Sequence, residues 1–113
     1  MKIVEEAITK EELEEMSTKM FGALVKAVVD VEKEILVVDA ELHADQERYL
    51  LDLGSKQENL WGINIFPDKE GDDMVEFDSM INLRPAFGNN SRSVEDKKIQ
   101  RKILEIVKSK IAR

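Results

Sequence analysis

The sequence predicts an α+β fold, a single domain over residues 1–113. The expected core is a largely antiparallel or mixed sheet of four to five strands, with two main helices packed on one face and a short third helix. Three observations carry this. Residues 34–43 alternate with period two: Leu36, Val38, Ala40 and Leu42 fall on one side, and Ile35, Val37, Asp39, Glu41 and His43 on the other. Residues 60–66 alternate likewise, with Trp61, Ile63 and Ile65 on one face, and Pro67 stops them. Two other stretches, near the start and at the end, carry apolar residues at helical spacing behind capping residues.

Size and composition set the outer bounds. A chain of 113 residues typically buries roughly two thirds of its unfolded surface and needs no metal or disulfide to fold. It contains no cysteine, which removes thiolate chemistry and fits a reducing compartment. No apolar run approaches the length of a membrane span and no signal peptide precedes the first structured stretch, so a cytoplasmic protein with no membrane partner is expected. Net charge is −7, unevenly spread: residues 94–113 carry seven basic and three acidic groups, +4, and the remaining 93 residues carry −11. The acidic body argues against nucleic acid as a partner, because duplex affinity comes mostly from phosphate neutralisation.

Taken in order, Lys2 to Val4 reads as a short edge strand. Thr9 opens the first helix through a capping box with Glu12, and Ile8 stands at the staple position against Leu13. Leu13, Met16 and Met20 form its buried stripe, with Gly22 near its end. Residues 25–31 and 34–42 read as a hairpin whose turn at Glu32 and Lys33 lacks glycine or asparagine. The second of these strands is expected to be central and to carry His43 at its end. Asp45 is read as the cap of a short helix from Gln46 to Leu53, with Gly54 closing it. Residues 60–66 form the next strand, an acidic turn follows, and residues 74–84 return as one long antiparallel strand ended by Pro85. Ser93 is expected to cap the last helix, which buries Ile99, Ile103, Ile106, Val107 and Ile111 and carries Lys108, Lys110 and Arg113 in its last turn.

Several phrases belong together: Glu41-Leu42-His43-Ala44-Asp45, then Ser55-Lys56-Gln57, then Leu60-Trp61-Gly62-Ile63-Asn64. Phe77-Asp78-Ser79-Met80-Ile81-Asn82, Arg84-Pro85 and Asn90-Ser91-Arg92 ahead of Val94-Glu95-Asp96 complete the set. Together they resemble a family of small uncharacterised archaeal and bacterial proteins, a domain of unknown function. The resemblance spans nearly the whole chain and implies no activity, substrate or cofactor.

The residues themselves offer three functional readings. None of the standard phosphate, dinucleotide, metalloprotease or nucleophile-elbow motifs is present. Glu41, His43 and Asp45 are spaced i, i+2, i+4, but zinc held by one histidine and no cysteine is uncommon, and no metal or cofactor is expected. Polar groups collect on one sheet face: Glu41, His43, Asn64, Glu76, Asp78, Asn82 and Arg84, with parity allowing Asn64 and Asp78 to be cross-strand neighbours. This face is either open to solvent or a shallow polar site, and asparagine in two strand centres runs against propensity.

Next to it, Arg84, Ser91, Arg92 and Ser93 lead into the last helix and form a cradle for an anion, unless the arginines merely pair with carboxylates. The first reading is therefore a binding module for a small anionic ligand or a partner's acidic group, using Arg84, Ser91, Arg92, Ser93, Asn64 and Asn82. His43 would join it when protonated, below about pH 6.5. The second is a small hydrolase with His43 as general acid or base, Glu41 or Asp45 tuning it and Arg84 holding developing charge. The third is a structural or regulatory domain acting through a sheet edge or helix face, as a homodimer.

Overall fold

In the computed structural model, which describes residues 1–112, the alternating segments are strands of one sheet. Its order is β1 (Lys2–Val4), β4 (Ile35–Val38), β3 (Val25–Asp30), β5 (Leu60–Ile65) and β6 (Val75–Glu76), and every neighbouring pair is antiparallel. The expected hairpin is present, with Val29 opposite Leu36. The middle strand is β3; β4, from the stretch 34–43, is the interior strand beside it, paired with β1 on one edge and β3 on the other. The hairpin turn needs no glycine because the Asp30 carboxylate organises it. One oxygen accepts from the amides of Glu32 and Lys33, the other from the Ser55 hydroxyl, and Glu34 takes the left-handed conformation at φ 57°.

Three helices cover this sheet. The first is α1 (Lys10–Lys19), and Thr9 caps it with the full capping box. The last is α3 (Lys97–Lys110). Their buried residues Leu13, Ile103, Ile106 and Val107 share one cluster with Val25, Ala27, Val29, Leu36, Val38, Trp61, Ile63 and Ile65. Period two therefore assigns this face as the sequence predicts. A short parallel pair, β2 (Ile8–Thr9) with β7 (Ile111–Ala112), ties the start of α1 to the end of α3. Arg113 lies outside the described residues.

The opposite face is not an open polar surface over its whole extent. There α2 (His43–Asp52) lays Leu50 against Val28, Val37 and Leu60. Alternation of residues 34–43 holds only to Val38. Asp39 turns left-handed at φ 65°, the strand ends, and the helix starts at His43, three residues ahead of the expected Gln46. Leu42 is thereby removed from the core and is exposed, and Asp45 is a first-turn residue rather than the cap.

The long returning strand is also absent. Residues 75–76 pair with β5, then the chain leaves the ladder and makes a 3-10 turn at Met80–Asn82 and another at Pro85–Phe87. The last helix begins at Lys97, and its cap is Asp96, whose carboxylate accepts from the Lys98 amide at 2.8 Å, not Ser93. The loop ahead of it is held by the buried Asn89, whose side-chain amide donates to the carbonyls of Asn82, Ser91 and Ser93.

Candidate functional site

The edge of β5 explains where the polar residues go. Beyond its two-residue pairing with β6, this strand has no strand partner on its outer side among the described residues. Two side chains take the place of one. Asn82, fully buried in its 3-10 turn, accepts from the Gly62 amide at 2.8 Å and donates to the Gly62 carbonyl at 2.9 Å. A single carboxamide thus satisfies an exposed ladder position in both directions. It packs so closely that a Cβ on Gly62 would lie 2.5 Å from the Ser79 Cβ. Arg84 serves the neighbouring stretch: its guanidinium donates to the carbonyls of Gln57 and Leu60 and stacks 4.3 Å from the centre of the Trp61 ring. Burial lowers its pKa, and Glu47 works against that shift.

Arg84 and Arg92 accordingly do different things. Arg84 is buried in the edge of the sheet. Arg92 is exposed, and its Nε donates to the Asp78 carboxylate at 2.7 Å. The two arginines do not converge on the start of α3. Ser91 turns its hydroxyl to the Ser93 amide at 3.2 Å, and Ser93 offers its carbonyl to Asn89. Asn82 is likewise committed to backbone. Glu41 and Asp45 are exposed, and neither lines the cavity beside His43. Among the described residues no group of three or more histidine, aspartate or glutamate side chains is placed to hold a metal ion.

Four of the residues singled out in the sequence, His43, Asn64, Asp78 and Arg92, do come together, at a different place. A cavity of about 220 Å³ opens between the start of α2 and residues 78–81. It is lined by His43, Asn64 and Arg92, with Lys26, Asp78 and Ser79 adding polar groups, and Leu42, Ala44, Met80 and Ile81 supplying apolar wall. Position in the fold accounts for each. Lys26 on β3 stands directly opposite Asn64 on β5. Asn64 in turn faces Glu76 across the β5–β6 pair, and its amide donates to that carboxylate at 2.8 Å. Glu76, not Asp78, is therefore its cross-strand partner. Only the Asp78 carbonyl comes near, at 3.5 Å. The Asn64 Oδ1 is buried with no partner among the described residues.

His43 sits in the first turn of α2, with its Nε2 2.7 Å from the Ile63 carbonyl. A carbonyl can only accept, so Nε2 carries the proton. Nδ1 makes no hydrogen bond among the described residues. Burial holds the imidazole below the usual histidine range; the Ile63 contact and Asp78 oppose that shift, while Lys26 and Arg92 add to it. One turn on, the Gln46 side chain donates to the Lys26 carbonyl at 2.8 Å. His43 and Gln46 therefore pin one helix to the two central strands, and that sets the mouth of the cavity.

The helix start itself carries no side-chain cap. Leu42 occupies the cap position with a side chain that offers no acceptor, and the amides of His43 and Ala44 have no hydrogen-bond partner among the described residues. Lys26 and Ser79 are not among the polar residues that the sequence singles out. The signal available was parity: Lys26 lies on the inner strand, on the face opposite Ala27 and Val29.

Among the described residues no helix is long and apolar enough to cross a membrane. No curated protein and no solved structure matches the chain. A family model described as protein of unknown function (DUF5674) matches residues 2–110, and the chain belongs to that family.

Proposed function

We propose that the chain is a binding module for a small anionic ligand, held at the start of α2 rather than at the start of α3. The observation that carries this is an uncapped helix start in the wall of a cavity that also presents Lys26 and Arg92. Free amides and the positive end of a helix favour an anion, and two cationic side chains supply the local charge that an acidic protein otherwise lacks. Asp78 takes up part of the Arg92 charge, so the site suits a singly charged group better than a polyanion. His43 contributes as a neutral group at neutral pH, because burial depresses its protonation. Any charge it adds comes at a lower pH than the ordinary value of about 6.5, because burial lowers its pKa.

The test is a titration of labelled protein with acetate and phosphate, followed by amide shifts. Shifts clustered on residues 42–46, 64, 78–81 and 92 support the reading. Shifts confined to residues 93–98 would instead return the anion to α3, and no shifts at millimolar ligand would remove the site. Arg92→Glu should weaken binding at least tenfold, and Lys110→Glu should leave it nearly unchanged.

One observation favours a hydrolase as the second reading. His43 is neutral, fixed through Nε2, and free at Nδ1 to take a proton, which is the arrangement a general base needs. Turnover of small esters that His43→Gln abolishes would support it. Binding without turnover leaves the binding module.

A further inference from the structure

Two acceptors on residues lining this cavity have no donor among the described residues. Asn64 is 7% exposed and His43 8%. The Asn64 Oδ1 is buried and unpartnered, and its orientation is fixed because the amide nitrogen faces the Glu76 carboxylate and the Asp78 carbonyl, both acceptors. The His43 Nδ1 is an acceptor by elimination, since Nε2 holds the proton against Ile63, and unlike the Asn64 Oδ1 it is not sealed from solvent. The Asp78 carboxylate, tied to Arg92 through one oxygen, is a third acceptor in the same wall.

The cavity therefore holds two complementary sets of groups: cations and amides for an anion, and acceptors for a donor. We propose that its ligand is a small acid that also bears a hydroxyl or ammonium group, the anion lying at the α2 amides and Lys26, and the donor at Asn64 and His43. This rests on the anion reading above and narrows it to a substrate class. The volume of about 220 Å³ suits a compact molecule, and the exposed Leu42 (54%) and Met80 (61%) at the mouth tolerate a short apolar tail.

Matched ligands test this on the unaltered protein, so no variant has to fold. Propionate, lactate, alanine and lactamide are titrated separately, followed by amide shifts and by the ring nitrogens of His43, which is the chain's single histidine. Lactate or alanine should bind at least tenfold more tightly than propionate, and should move the Nδ1 resonance toward that of a hydrogen-bonded acceptor while propionate does not. Lactate against alanine decides between hydroxyl and ammonium.

Equal affinity for propionate, lactate and alanine would overturn the donor proposal and leave the anion reading standing. Lactamide binding as tightly as lactate would overturn the anion reading, and this proposal with it, while retaining the acceptors as a site for a neutral donor. No binding by any of the four would overturn both.

Discussion

At the scale of single residues, the protein solves a backbone problem with side chains. Among the described residues β6 covers only the last residues of the outer edge of β5, and Asn82 and Arg84 satisfy the rest instead. Asn82→Ala strips a buried amide and a buried carbonyl of their partners at once and should cost about 2–4 kcal/mol in denaturant unfolding. Asn82→Asp keeps the acceptor for the Gly62 amide and loses the donor to its carbonyl, so it should be no better. Gly62→Ala should cost about 1–3 kcal/mol, because the new methyl would meet the Ser79 Cβ at 2.5 Å and something must shift. His43 gives the pH prediction. Its folded pKa is depressed, so the native state resists protonation while the unfolded chain accepts it near the ordinary value of about 6.5. The associated stability is complete above that pH and falls as pH drops below it. The ring resonances should titrate below the unfolded value. A midpoint at or above 6.5 would mean that the imidazole is not buried against Ile63.

At the scale of elements, the helix starts separate what the chain discloses from what it conceals. Thr9 and Glu12 meet every condition of a capping box in one dimension, and the structure forms it. Ser93 meets the same condition with Asp96, yet the buried Asn89 holds the Ser91 and Ser93 carbonyls and the helix waits for Asp96. Asp96→Ala should therefore cost about 0.5–2 kcal/mol, as should Thr9→Ala, whereas Ser93→Ala should change thermal stability little. A larger loss at Ser93 than at Asp96 would put the helix start where the sequence placed it. The same contrast explains the strands. Leu36 and Val38 are legible because apolar side chains at period two have one face to enter. Beyond Val38 the alternation persists in letters only, since the left-handed Asp39 breaks the strand without being a glycine. The start of α2 is hidden for a related reason: its buried stripe is His43, Gln46 and Leu50, two of them polar, so apolar periodicity misses it. Residues 77–84 keep strand parity while Asn82 imitates a strand with its side chain, and nothing in composition distinguishes the two. The candidate site follows suit: His43, Asn64, Asp78 and Arg92 stand out in the sequence, but Lys26 and Ser79 join them only once β3, β5 and α2 are assembled.

At the scale of the whole molecule, the sheet carries two cores of unequal size. One face buries the apolar sides of five strands beneath α1 and α3; the other buries Val28, Val37, Leu50 and Leu60 beneath α2, with Ile3, Ile35, Leu51 and Ile81 packed partly against them. The smaller cluster is supplemented by the two polar tethers, His43 to Ile63 and Gln46 to Lys26, so α2 depends more on hydrogen bonds than α3 does. Amides of α2 should accordingly exchange faster than those of β3 and β5, as the less stable local unit. Truncation tests the division directly. Leu50→Ala and Ile103→Ala each remove a fully buried side chain and should each cost about 2–5 kcal/mol. They lie on opposite faces and in different clusters, with the sheet between them, so the double variant should lose the sum to within about 0.5 kcal/mol. Urea unfolding of the four proteins gives the coupling energy. A coupling above about 1 kcal/mol would show that the sheet transmits strain between its faces. The cavity at the start of α2 would then be mechanically tied to the large core rather than resting on a separate, softer layer that a ligand can stiffen.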